Sequence, residues 1–175
     1  MNLRENTADI VAARAEELFK SGLFCAESVL LAVAESQQIR NKLIPRIATG
    51  FCSGVARTGG QCGAVSGAIL AISMLCGRDS NATPVESNYR IVRSFIGKFK
   101  KAFGDTNCFS LLGCPLDTPE GQAWYKENNL LEKCVAFTRE AGRLAISTLQ
   151  EADESAEEPP SRPVLPEKGE ETEIL

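Results

Sequence analysis

Seven cysteines and no histidine stand in a chain of 175 residues. The missing histidine removes Ser-His-Asp and Cys-His catalysis, every histidine-containing zinc or copper site, and c-type haem attachment. Chemistry must therefore run on thiols, carboxylates, amines or a bound cofactor. The cysteines are Cys25, Cys52, Cys62, Cys76, Cys108, Cys114 and Cys134, and no two are separated by only two residues. Zinc knuckles and thioredoxin-type dithiols both rest on C-x-x-C, which brings two sulfurs together by local geometry. Any cluster of thiols here must be assembled from separate elements.

Three positions suit thiol chemistry. Cys25 and Cys62 are expected to open helices after glycine-containing segments, and Cys108 to start a short turn after Thr106. At a helix N-terminus the backbone N–H groups and the macrodipole favour the thiolate, the form that attacks disulfides and ligates metals. Arg57, just before Cys62, adds to that field. Cys62 is thus expected to alkylate ahead of Cys76 at neutral pH. Cys52 and Cys76 read as small buried hydrophobes, as free cysteine commonly is. The loop Gly54-Val55-Ala56-Arg57-Thr58-Gly59-Gly60-Gln61 is no phosphate loop, because it lacks a following Lys-Ser/Thr pair and a preceding strand.

The elements that must position these residues are helical. Apolar spacing follows the helical period almost throughout and predicts an all-α, compact bundle of about six or seven helices. Asn6 or Thr7 is expected to cap a first helix with Val11, Ala15, Leu18 and Phe19 on one face, closed by Gly22. A second begins near Cys25, and a short third runs from Pro45 toward Phe51. The glycine-rich loop feeds a fourth over Cys62 to Cys76, where Gly63, Gly67 and Ala71 leave a flat strip for another backbone or a cofactor. The fifth carries a stripe of Val92, Phe95, Ile96, Phe99 and Phe103 and stops at Gly104. Short turns follow around Cys108 and after Thr118-Pro119, and the last helix runs from about Leu130 to Gln150 with Cys134 on its apolar stripe.

The net charge of -4 conceals a split. Residues 151–175 hold nine Asp/Glu against Arg162 and Lys168, four of the eight prolines and no aromatic residue. This is the composition of a disordered acidic tail behind a helical domain over residues 1–150. The remaining body, at +3, has no basic cluster with interleaved aromatics and argues against nucleic acid. Met1 to Ile10 lacks the basic start and apolar run of a secretory signal. Thr58 to Gly77 is uncharged, but its apolar part, Ala64 to Cys76, is too short to cross a hydrocarbon core. No membrane insertion and a cytoplasmic location with reduced or metal-bound cysteines are expected.

The segments Phe24-Cys25-Ala26-Glu27-Ser28-Val29-Leu30 and Gly54 to Ala68, followed by Cys108 and Cys134, resemble the redox-active family named after its cysteine pattern, C_GCAxxG_C_C. The resemblance covers roughly residues 8 to 150, and its core is Cys62-Gly63-Ala64-x-x-Gly67. The letters of the name put glycine before cysteine, whereas here Gly63 follows Cys62. The resemblance implies that the hallmark cysteines are Cys25, Cys62, Cys108 and Cys134, with Gly63 and Gly67 beside them. Cys52, Cys76 and Cys114 fall outside the pattern, and Cys52 stands where relatives tend to have glycine. Similarity to the cluster-bearing domain of split-Soret cytochromes implies an iron-sulfur site, and the selenocysteine of some relatives implies thiol chemistry. The first expectation is therefore an electron-transfer protein in which Cys25, Cys62, Cys108 and Cys134 ligate an iron-sulfur cluster, of the 2Fe-2S kind. It would serve an unidentified redox partner protein, and a homodimer is allowed. The first alternative is a thiol-disulfide oxidoreductase with Cys62 attacking and Cys25 or Cys108 resolving. The second is a zinc or copper thiolate protein without turnover.

Overall fold

The computed structural model describes residues 3–157. The chain is an all-α, compact helical bundle: α1 (Leu3–Lys20), α2 (Cys25–Ser36), a 3-10 turn (Arg46–Phe51), α3 (Cys52–Ala56), α4 (Gly63–Cys76), α5 (Glu86–Phe103), α6 (Cys108–Leu112), α7 (Pro119–Glu127) and α8 (Leu131–Glu157). Pairing of the extended type is confined, among the described residues, to an isolated bridge between Gln61 and Asn107.

The long helices bury the faces that their spacing predicts. Val11, Ala15 and Leu18 of α1 are buried, and Gly22, at φ +113°, lets the chain turn so that Leu23 N–H reaches the Leu18 carbonyl. In α5, Phe95 and Phe99 are fully buried and form, with Phe103 and Phe137 of α8, a chain of tilted and edge-on rings 4.8 to 6.3 Å apart. α8 runs the length of the bundle and packs on α1, α2, α4 and α5.

α2 and α4 approach each other backbone to backbone. A Cβ on Gly67 would sit 2.5 Å from the Ala26 carbonyl oxygen and 2.8 Å from its Cα, so only glycine allows the two backbones to meet. The flat strip on α4 therefore receives a helix backbone at Gly67, leaving no room there for a cofactor. α2 answers with small residues of its own, Ala26, Ala32 and Ala34, all buried.

Two boundaries differ from expectation. α1 begins at Leu3, ahead of the expected caps Asn6 and Thr7, because residues with fair helix propensity precede them. α8 continues past Gln150 to Glu157, helped by Lys98 of α5, whose ammonium reaches the Thr148 hydroxyl (3.2 Å) and the Glu151 carboxylate (2.5 Å). The first residues of the expected acidic tail are thus helical, and its remainder, 158–175, lies outside the described residues. Among the described residues no helix is long and apolar enough to cross a membrane.

The close approach of α2 and α4 makes a contrast between two glycines. Gly67→Ala should cost about 2 kcal/mol or more by overpacking against fixed backbone. Gly97→Ala, on the exposed face of α5 with nothing within 4 Å of the new methyl, should gain roughly 0.5–1 kcal/mol. Urea unfolding of the two variants checks both signs; equal effects would show that α2 and α4 are not in backbone contact.

Candidate functional site

Cys62 sits at the N-cap of α4, with extended backbone (φ -56°, ψ 130°), and its sulfur faces the backbone N–H groups of Ala64 and Val65 without a capping hydrogen bond. Its own N–H donates to the Thr106 carbonyl at 2.8 Å, while Cys108 N–H donates to the Gly60 carbonyl at 2.7 Å. These two bonds clamp the glycine loop to the segment that opens α6. Asp105 supports that segment by accepting the N–H groups of Thr106 (2.6 Å) and Asn107 (3.1 Å). Asn107 caps α6 through Ser110 N–H (2.9 Å) and ties it back to the loop by donating to the Gly59 carbonyl (2.7 Å).

The chain reaches that loop through an unusual turn. Ser53, Gly54, Val55, Ala56 and Arg57 all have positive φ, between +52° and +71°, so α3 is a single turn of left-handed sense. Each non-glycine residue in that conformation costs about 1–2 kcal/mol, and Gly54 is the one residue free of the penalty. Gly54 is also where Cys108 packs: a Cβ there would lie 2.5 Å from the Cys108 Cβ and 3.0 Å from its Sγ.

Cys25, first residue of α2, is held by the buried Glu27. That carboxylate accepts Phe24 N–H at 2.8 Å and the Thr49 hydroxyl at 2.6 Å, joining the start of α2 to the 3-10 turn. The Cys25 sulfur rests on Gly63, where a Cβ would collide with it. Behind it Cys52, in the core, donates to the Ala48 carbonyl at 3.7 Å, and its neighbour Cys25 together with burial raises its thiol pKa above the ordinary value. Cys134, in the first turns of α8, stands beside the Tyr125 hydroxyl of α7.

These elements enclose one cavity of about 300 Å³. Cys25, Cys62, Cys108, Cys134 and Gly63 line it, together with apolar side chains that include Phe19, Phe24, Leu111, Leu116, Leu131 and Phe137. Ser53, Arg57, Gln122, Tyr125 and Lys126 supply its polar positions. Gly67, Cys52, Cys76 and Cys114 are not in the wall. Cys76 lies at the far end of α4, where its thiol donates to the Ile72 carbonyl at 3.1 Å. Sequence reasoning missed Tyr125 and Lys126; the helix start signal at Thr118-Pro119 located their helix, but nothing in its spacing marked which face meets a thiol.

The family described as "Putative redox-active protein (C_GCAxxG_C_C)" matches residues 23–147. The chain belongs to this family. No curated protein and no solved structure matches it.

For this C_GCAxxG_C_C protein the expected iron-sulfur cluster fails on the donor set. Among the described residues no group of three or more Cys, Asp or Glu side chains converges closely enough to hold a metal ion. The four hallmark sulfurs are spread around an apolar space, each with its own neighbours: Cys25 on Gly63, Cys108 on Gly54, Cys62 facing the N–H groups of α4, Cys134 beside Tyr125. The 2Fe-2S assignment, the metal-ligand role of Cys25, Cys62, Cys108 and Cys134, and the electron-transfer function built on them are therefore overturned, as is zinc or copper binding by the same set. The dithiol alternative fares no better, since all seven cysteines are free and none is paired with another.

Electrostatics corrects a further expectation. The α4 N-terminus does pull the Cys62 pKa down, but burial outweighs it and pushes the thiol up to about 12, with the neighbouring sulfurs of Cys108 and Cys134 adding to the rise. Burial likewise pushes Cys108 up to about 12, reinforced by Cys134 and Cys114. It raises Cys134 despite the neighbouring Tyr125 hydroxyl, which acts the other way. At neutral pH Cys62, Cys108 and Cys134 are protonated thiols rather than nucleophilic thiolates.

An alkaline stability loss follows from these raised values. Above the ordinary thiol value of 9.0 the unfolded chain releases protons that folded Cys62 and Cys108 retain up to about 12, so stability falls as pH rises through that window. The slope should be about 1.4 kcal/mol per pH unit for each thiol. Chemical denaturation at pH steps through the window should show it, and Cys62→Ala should remove one thiol's share of the slope. Iodoacetamide at neutral pH should label native Cys62 no sooner than the half-buried Cys76; preferential labelling of Cys62 would mean that the helix terminus wins over burial.

Proposed function

We propose that this C_GCAxxG_C_C protein binds a small apolar molecule in the thiol-lined cavity, with the thiols of Cys25, Cys62, Cys108 and Cys134 facing it. The observation that carries this reading is the convergence of all four hallmark cysteines on one cavity whose remaining wall is mostly Phe and Leu. A protonated thiol behaves as a small polarizable hydrophobe, so three buried thiols and one half-buried one extend the apolar wall instead of interrupting it. The cavity's size falls at the small end of the range for small-molecule sites, and its few polar groups are of the kind that orient a ligand within an apolar pocket. The family match spans residues 23–147 and so includes all four cysteines of the wall. Seven free cysteines also support a cytoplasmic, reducing compartment as the place where the protein works.

N-phenyl-1-naphthylamine, an uncharged dye that brightens in apolar surroundings, tests the reading. It should bind the reduced protein saturably and one-to-one, and should slow maleimide labelling of Cys62 and Cys108 several-fold while leaving Cys76 unaffected. Absence of saturable binding, or binding that leaves labelling of all seven cysteines unchanged, would overturn it.

A further inference from the structure

The cavity wall contains two cations and no anion. Arg57, last of the left-handed residues, and Lys126, in the final turn of α7, both line the cavity and are exposed, so they stand where it opens to solvent. Neither makes an ion pair or side-chain hydrogen bond among the described residues; other cations such as Arg40 and Arg78 make none either, and what sets these two apart is that both line the cavity. Among the described residues no Asp or Glu lines the cavity. Glu27 and Asp105 are engaged elsewhere, Glu27 on Phe24 and Thr49 and Asp105 on its own turn.

Chance placement of surface lysine and arginine gives mixed neighbours; two unpaired cations with no acid at the mouth of an apolar pocket set up a positive field that a low-dielectric wall focuses inward. The chain also reaches Arg57 through a run of positive-φ residues, which aims the side chain from a turn clamped to Cys108 rather than from a mobile loop. We infer that the occupant of the thiol cavity is an amphipathic anion, an apolar body ending in a carboxylate or comparable acidic group, with the body against the thiols and the acidic end held by Arg57 and Lys126. This rests on the thiol cavity being a small-molecule site and adds the chemical class of its ligand. Arg57 offers a planar fork suited to a carboxylate, and Lys126 a mobile point charge.

The test uses displacement of N-phenyl-1-naphthylamine from the full-length reduced protein by octanoate and by 1-octanol, which share an apolar body and differ in charge. Octanoate should compete about ten-fold better than the alcohol at low ionic strength, the gain expected of a charge-assisted contact over a neutral one, and the preference should shrink as salt is added. Arg57→Gln and Lys126→Gln should each reduce the preference of acid over alcohol, read as a ratio within each variant so that any change in dye affinity cancels. Equal competition by acid and alcohol, or a preference unchanged in both variants, would overturn the anion assignment while leaving the apolar cavity standing. Failure of the dye itself to bind would remove the cavity reading and this inference with it.

Discussion

Two backbone hydrogen bonds, from Cys62 to the Thr106 carbonyl and from Cys108 to the Gly60 carbonyl, hold the thiol wall together. They join segments more than forty residues apart in sequence, and the rest of the cavity is arranged around that join. The left-handed turn of α3 delivers the glycine loop to it, at a cost spread over four non-glycine residues with positive φ. Such a conformation persists only where the surroundings fix it, and here they do: Gly54 accepts Cys108 against its bare Cα, and Asn107 hydrogen-bonds to Gly59. Gly63 and Gly67 extend the same logic into α4, one making room for the Cys25 sulfur and the other for the α2 backbone. Three glycine-dependent contacts thus bring thiols from α2, α4 and α6 to one space, and α8 adds Cys134.

Cys62 shows how a local signal and its surroundings can oppose each other. A helix terminus lowers a thiol pKa through a few N–H groups whose effect is confined to the first turn. Removal from water acts on the whole charge, and for a group 5% exposed it is the larger effect. The cavity walls that make the site apolar are what keep the thiol protonated. A pocket of this kind binds first and reacts only if its occupant changes that balance.

Helix identity was largely legible in the sequence, because the period of apolar residues and the stop signals at Gly22, Gly77 and Gly104 are local properties. The stripe of Phe95, Phe99 and Phe103 and the start at Thr118-Pro119 both correspond to what forms. What the sequence did not carry was the difference between sulfurs that surround a space and sulfurs that converge on a point. Four scattered cysteines without histidine suit either arrangement, and the choice depends on tertiary distances that spacing does not encode. The close approach at Gly67 decided part of it: a strip of small residues invites a backbone or a cofactor equally, and Ala26 occupies it. The left-handed turn was equally invisible, since Ser53, Val55, Ala56 and Arg57 have no preference for positive φ and are driven there by the clamp on either side.

The polar residues of the cavity complete the physical picture. Burying thiols costs little, because a protonated sulfur loses only weak hydrogen bonds to water. Burying Arg57 or Lys126 in the same wall would cost far more, and the fold leaves both exposed at the opening instead. Tyr125 stands between these extremes, with its ring in the wall and its hydroxyl beside Cys134. The result is a gradient of polarity from a thiol and aromatic interior to a cationic mouth. On physical grounds such a gradient favours an amphipathic molecule with its apolar end against the thiols and its charged end at the opening.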